Sequence, residues 1–440
     1  MTNTLKPFMF WVAFVASLGG LLFGFDTAVI SGAEKQIQQI YGLSDFAHGF
    51  TIASALIGTI IGALFCGKPA ERLGRLKSLK IIGALYLISA VGSGAIVNWY
   101  SFMIFRFIGG LAVGASSVVG PMYIAEISPS KWRGRFVAFF QLNVVLGILL
   151  AFFTNYWISG CPNDWQWMIL SESCPALLFF ILLFFVPESP RWLIKQGREA
   201  EAAEVFERTG EPDVEGGIAA IRASLETVSG KKAKLFSGKY TKSIVIAFLI
   251  ATFNQLSGIN AILYYAPRLI ETSGVFHEGA MLQAVIIGLT NLVFTMIGIA
   301  IIDKVGRKKL IAFGAVGMVV CLLLVARGFA LESFQGCYML FCLMGYIAFF
   351  ALSLGATIWV VIAEVFPNDV RADGQVLGSM THWGWSALLT WFFPMCLNIG
   401  GKYIFTFFAI IAGLSFFFAL WMPETKGKSL ERIQKELVGK

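Results

Sequence analysis

Charge is scarce in this sequence. Of its 440 residues 14% are charged and 57% hydrophobic, whereas soluble domains carry about 25% charged residues, so a water-soluble core does not account for the chain. Seven cysteines show neither a CxxC pair nor metal-ligand spacing. They read as small apolar packing residues, and no metal site is expected. Cys161 and Cys337 fall on the same side in the topology derived below, which allows a disulfide between them. Strands of alternating polarity are absent as well, which excludes an outer-membrane barrel. No nucleophile paired with a base and no nucleotide-binding loop stands out, so an enzyme is not expected and no cofactor is implied. The net charge of +8 comes without a nucleic-acid-reading module, which argues against a nucleic-acid partner.

What fills the chain is a series of long hydrophobic runs. Runs of about 20 residues, enough to cross a bilayer as a helix, recur at approximately 8–30, 50–67, 79–97, 99–125, 136–158, 168–187, 243–267, 281–302, 310–330, 337–363, 374–396 and 402–422. In lipid such runs satisfy their backbone groups only as helices. The expectation is an all-α membrane protein of twelve transmembrane helices. The first run is too long, and lacks a small-residue cleavage site, to read as a removed signal peptide. With both termini in the cytoplasm, 29 of the 34 Lys and Arg lie inside, four (Lys35, Arg268, Arg327, Lys402) lie outside, and Arg106 lies within a span. The positive-inside rule selects that orientation, with membrane lipid as the surrounding partner.

The longest polar stretch, about 188–242, mixes apolar and charged residues at helical spacing over Arg198 to Arg208 and Val214 to Val228. It reads as a cytoplasmic linker with short helices between six-span halves at 1–187 and 243–422, followed by a tail at 423–440. The same punctuation occurs in both halves in the same order. Glu71-Arg72-Leu73-Gly74-Arg75 after span 2 matches Asp303-Lys304-Val305-Gly306-Arg307 after span 8. Glu126 with Arg133 matches Glu364 with Arg371, and Pro187-Glu188-Ser189-Pro190-Arg191 matches Pro423-Glu424-Thr425-Lys426-Gly427. The paired acids are offset by 232, 238 and 236 residues, so the chain is an internal repeat. Repeats of this kind place a substrate site near the bilayer midplane and work by rocking of one half against the other. Charge pairs on the cytoplasmic side then suit a gate: Glu71, Arg72, Arg75, Glu126, Arg133, Glu188, Arg191, Asp303, Arg307, Glu364, Arg371 and Glu424 are its candidates.

The motif Gly19-Gly20-Leu21-Leu22-Phe23-Gly24-Phe25-Asp26-Thr27-Ala28-Val29-Ile30-Ser31-Gly32, the Pro187 to Arg191 run, and Gln255-Leu256-Ser257-Gly258-Ile259-Asn260 together resemble the sugar porter family of the major facilitator superfamily, and bacterial xylose-proton symporters within it. The resemblance covers essentially the whole chain. It departs at Glu71, where Asp is usual, and at Leu76, where a second basic residue is usual and Lys77 follows. It implies a carrier that imports a monosaccharide with a proton across a bacterial inner membrane, with a monomer expected. A facilitative sugar uniporter is the alternative. A sugar sensor would carry a long cytoplasmic extension, and the chain ends soon after Gly427.

A sugar offers many hydroxyls, so its site needs neutral donors and acceptors and an aromatic face. Gln255 and Asn260 would point about 140° apart on a regular helix, but Gly258 between them permits a break, and interrupted helices line transporter sites. The resemblance implies sugar contacts at Asn254, Gln255, Asn260, Gln141, Asn291 and Trp359, with His382 standing where related symporters carry an amide and Phe23 as an apolar wall. Each amide also fits a plain interhelical hydrogen bond. Trp359 lies deep in its span, away from the interfacial belt, which favours a ring platform.

Ionisable groups inside spans are costly and usually functional, and the candidates are Asp26, Arg106 and Glu172. Counting from the span ends puts Asp26 and Arg106 each about 6–11 Å deep. Burial disfavours the charged carboxylate and a guanidinium favours it, so a change in their separation changes proton affinity. Asp26 and Arg106 are therefore the expected proton-coupling pair. Glu172 fits either modulation of the cycle or a structural hydrogen bond.

Overall fold

In the computed structural model the described residues are 6–95, 98–129, 132–227, 235–334, 337–367, 369–428, 433 and 437. Residues 228–234 of the expected linker, and most of the expected tail beyond 428, lie outside them. Eleven helical stretches among the described residues are long and apolar enough to cross a bilayer. The last, Arg371–Trp421, is two helices meeting at Gly400, whose φ of 151° breaks the helical path. Twelve crossings result. Spans 1–6 are Pro7–Ile40, Asp45–Phe65, Arg75–Ala95, Trp99–Ile127, Arg133–Ile158 and Asp164–Leu182. Spans 7–10 are Thr241–Tyr264, His277–Val305, Arg307–Leu331 and Tyr338–Val365, with spans 11 and 12 on either side of Gly400. No strand occurs among the described residues.

Span 1 runs ten residues past its apolar run, to Ile40. The polar residues Glu34 and Gln38 on that extension find partners, described below, so the helix need not end where the hydrophobic sequence does. Glycine sets how closely spans approach. A Cβ on Gly24 of span 1 would overlap the Val144 carbonyl of span 5, and one on Gly147 of span 5 would overlap the Leu21 carbonyl of span 1. Backbone contact of this kind replaces the hydrophobic drive that lipid does not supply.

Besides the joint in span 6 at Glu172, two spans are interrupted. Span 7 breaks after Leu256, where Gly258 adopts φ 100°, and resumes at Ile259–Tyr264. Span 10 loosens into a π-helical turn at Ala351–Gly355. Freed backbone groups in lipid need substitutes, and each break has one. The Tyr346 hydroxyl donates to the Ser257 carbonyl at 3.0 Å, and the Asn254 amide donates to the Leu354 carbonyl at 3.1 Å.

By contacts the chain forms two compact units. The first holds residues 1–26, 58–148 and 169–231; the second holds 27–57, 149–168 and 232–440. The second therefore includes parts of spans 1, 2, 5 and 6 together with all of spans 7–12. Three short helices, Pro190–Lys195, Glu199–Thr209 and Val214–Thr227, follow span 6. Ser189 caps the first by accepting from the Trp192 amide at 3.3 Å, and Gly210 ends the second in the left-handed conformation. Their apolar residues Trp192, Leu193, Val205 and Phe206 join the core of the first unit. All seven cysteines are free thiols, so the disulfide that the sequence allows between Cys161 and Cys337 does not form.

Candidate functional site

A chain of polar side chains runs through the second unit at the break in span 7. Asn254 and Gln255 are buried on the first half of that span, at 2% and 1% exposure. The Gln255 amide nitrogen donates to Asn254 Oδ1 at 3.0 Å and lies 3.1 Å from His382 Nε2. Beyond the break, Asn260 Nδ2 donates to Gln255 Oε1 at 3.0 Å and to Ser386 Oγ at 2.7 Å. A regular helix would hold Gln255 and Asn260 apart; the turn at Gly258 brings their amides together. Trp359 stands with its ring 4.9 Å from His382, and Trp383 packs edge-on against the same imidazole at 4.8 Å. Trp359 is 37% exposed, the least buried of this group, so its face is available for a ring to stack on.

The remaining sugar-contact candidates sit apart from this chain of hydrogen bonds. Asn291 is buried in span 8, where its carbonyl oxygen is 3.4 Å from the Thr295 hydroxyl. Phe23 and Gln141 belong to the first unit and are half-buried.

The first unit contains the intramembrane charges. Arg106 Nη1 donates to Asp26 Oδ1 at 2.6 Å, and Nη2 reaches Oδ2 at 3.5 Å and the Asp26 carbonyl at 3.4 Å. Both side chains are buried, at 1% and 4% exposure. Glu172, at the joint between the two helical pieces of span 6, is equally buried and feels the charges of Asp26 and Arg106. Its carboxyl interacts directly with that of Asp26. Tyr86 of span 3 is fully buried under the influence of both acids. Two carboxylates thus surround one guanidinium: the cluster carries one negative charge when both are ionised and none when it holds a proton.

On the face of the bilayer that carries most of the Lys and Arg, the repeated motifs fold into repeated structures. Arg75 donates twice to Glu126, from Nε and Nη2, each at 2.8 Å, and a third time to the Ala70 carbonyl. In the other half Arg307 Nη2 donates to Glu364 at 2.9 Å, while its Nη1 lies 3.0 Å from Asp303. Glu188 accepts from the backbone amides of Arg75, Leu76 and Ser189, and Glu424 from those of Arg307, Lys308 and Thr425. Each acid therefore caps the start of span 3 or span 9, where free amides and the helix dipole favour a negative charge. Burial pushes the Glu188 carboxyl up, and the amide bonds offset part of that. Arg133 is exposed and acts on Glu211 instead of Glu126, and Arg371 Nε donates to the Phe366 carbonyl at 3.3 Å. Arg72 is exposed, Arg191 half-buried, and Glu71 meets Lys195 at 3.9 Å in a solvated pair.

The sequence matches the family described as sugar (and other) transporter over residues 12–437. The chain belongs to that family. It is 37% identical to the arabinose-proton symporter of Bacillus subtilis (strain 168), covering 97% of this chain and 95% of that one. The D-xylose-proton symporter of Escherichia coli (strain K12) is 36% identical, with 98% and 96% covered. Among solved structures, the inward-open conformation of the xylose transporter XylE from E. coli superposes with a TM-score of 0.86 at 35% identity, covering 98% of this chain and 100% of that one. The fold is the twelve-helix major facilitator fold of two six-helix repeats, in a family of multi-pass membrane transporters.

Ser386 and Tyr86 escaped the sequence reading. Ser386 lies four residues after His382 on span 11, hence on the same helix face, and that spacing was the available signal. For Tyr86 the sequence offers none, because a tyrosine inside a span is unremarkable until its neighbours are known.

Proposed function

We propose that this chain imports a monosaccharide, a pentose or hexose, together with a proton by alternating access, as a monomer in the inner membrane of a bacterium with both termini in the cytoplasm. In this reading the face rich in Lys and Arg, with the linker helices, is cytoplasmic. Residues 1–187 and 243–422 are the alternating halves, joined by the linker at 188–242 and followed by the tail at 423–440. Asn254, Gln255, Asn260 and His382 supply neutral donors and acceptors for hydroxyls, and Trp359 an aromatic face. Gln141, Asn291 and Phe23 are proposed to complete the sugar site.

The observation that carries the reading is the buried Asp26–Arg106 pair with Glu172 beside it. An uncompensated charge in lipid is expensive, and one bound proton would leave this cluster neutral. A uniporter has no use for such a cost. The relatives, symporters of arabinose or xylose with protons, point the same way. The test is uptake of labelled pentoses and hexoses into proteoliposomes. Accumulation above the external concentration should need an inside-alkaline gradient and collapse with a protonophore. Equilibration to the external concentration, indifferent to the gradient, would leave the uniporter.

A further inference from the structure

On the face opposite the basic one, within the second unit, a charged latch ties spans 1, 2 and 7. Glu34 of span 1 is 1% exposed. Arg268, on the short helix Ala266–Glu271 that follows span 7, donates from Nε to Glu34 Oε1 at 2.8 Å and lies 2.7 Å from Oε2 through Nη2. From span 2, His48 Nε2 meets Glu34 Oε2 at 2.7 Å. His48 is fully buried, and its Nδ1 has no hydrogen-bond partner among the described residues. A carboxylate accepts only, so Nε2 carries the hydrogen and Nδ1 is the free basic nitrogen.

The other charged and titratable groups around the latch are accounted for. Asp45, at the start of span 2, accepts from Gln38 at 2.9 Å and from Asn398 at 2.6 Å. Tyr265 faces His48 edge-on at 6.1 Å. Lys35 and His277 both bond Glu271. Burial would push the Glu271 carboxyl up, but the hydrogen bonds from His277 and Lys35 outweigh it and hold that carboxyl below its usual value, so it stays charged.

In the closed latch the Glu34 carboxylate is balanced by the Arg268 guanidinium. Parting spans 1 and 7 must draw Arg268 away. Its guanidinium can enter water, because a cavity of about 340 Å³ lies beside it, lined by Lys35, Gln38, Gln39, Thr272 and Asn398. Glu34 stays among spans 1 and 2 with its charge uncompensated, which is the costly outcome of separating a buried pair. His48 is the one base in contact with it that can load a proton.

We propose that Glu34 and His48 form a second proton-binding site, filled from outside as Arg268 leaves, so that external acid favours opening of the outer face. This rests on the alternating-access reading and on that face being outer, and does not depend on Asp26 as the coupling acid. Because opening takes up one proton, the open-to-closed ratio should rise by up to about tenfold for each unit that the pH falls.

The test is hydrogen–deuterium exchange of the full chain in lipid nanodiscs at pH 7.5 and 5.5, corrected for the intrinsic rate. Exchange in peptides covering residues 30–50 and 260–275 should rise at low pH in the wild type and in Asp26→Asn alike. His48→Gln, which keeps a donor to Glu34 but takes no proton, should abolish the rise. Glu34→Gln should raise exchange at both pH values. A single cooperative thermal unfolding transition checks that each variant is folded. A flat wild type, a response that persists in His48→Gln, or one removed by Asp26→Asn or His277→Gln would overturn the proposal, whatever the transport assays give.

Discussion

Gln255 is held on both sides of its amide, by Asn260 at the oxygen and by Asn254 and His382 at the nitrogen. Removing it leaves buried polar partners unpaired as well as deleting a contact to the proposed sugar. Gln255→Ala or Asn260→Ala should therefore weaken sugar binding by about 1–3 kcal/mol, read by calorimetry on purified folded protein; unchanged affinity in both would move the site elsewhere. The residues legible in the sequence were those that are out of place by chemistry. Asp26 and Arg106 stand out in apolar runs because a charge in lipid needs a reason, and the structure pairs them. Glu172 was equally visible, yet its position beside that pair depends on how span 6 packs, which no pattern within one helix encodes. The amides converge only because the chain turns at Gly258, a tertiary consequence that their spacing alone did not contain.

Span 7 depends on that turn. Gly258 has φ 100°, a conformation that L residues rarely adopt, and an added Cβ would fall 2.5 Å from Phe408. Gly258→Ala should cost about 1–3 kcal/mol in backbone strain alone and push Gln255 and Asn260 apart. A lowered melting temperature in detergent together with lost sugar binding is expected; full binding would mean that the break does not shape the site. A second break, the π-helical turn in span 10, was not legible, since it arises from packing and from Asn254 reaching the Leu354 carbonyl. The number and order of the spans were legible, because length and hydropathy are all that a bilayer demands of them. Their ends were not: span 1 runs on through polar residues whose partners lie on other helices. Arg75→Ala should cost about 3–5 kcal/mol by leaving the Glu126 charge without its cation, seen as a fall in melting temperature that Arg307→Ala repeats in the other half. Equal melting temperatures would reduce both pairs to surface contacts.

At the scale of the molecule, the repeat predicted from three acid-to-acid offsets reappears as two copies of one arrangement, Arg75–Glu126 with Glu188 and Arg307–Glu364 with Glu424. The internal match was legible in the sequence because the same charges serve the same helix ends twice. Which acid binds which Arg was not, since Glu126 turns to Arg75 and leaves Arg133 exposed. Exposed Arg133 and half-buried Arg371 suit contacts made in another state of the cycle: Arg133→Ala or Arg371→Ala should shift the carrier toward inward-facing forms, measured by labelling of cavity cysteines from each side. Identical labelling in both variants would make these residues topology signals. Coupling belongs to the same scale, because the proposed coupling acid Asp26 belongs to one unit and most of the proposed sugar contacts to the other. Asp26→Asn keeps the size and hydrogen-bonding capacity of the side chain but can neither take nor release a proton, so the proton gradient should no longer drive sugar. Exchange of sugar for sugar needs only the loaded carrier to reorient, and the asparagine imitates the protonated acid. In one proteoliposome preparation, concentrative uptake under a proton gradient should vanish while counterflow without a gradient survives. A variant that still accumulates sugar would transfer the coupling role to Glu172, the other buried carboxylate beside Arg106.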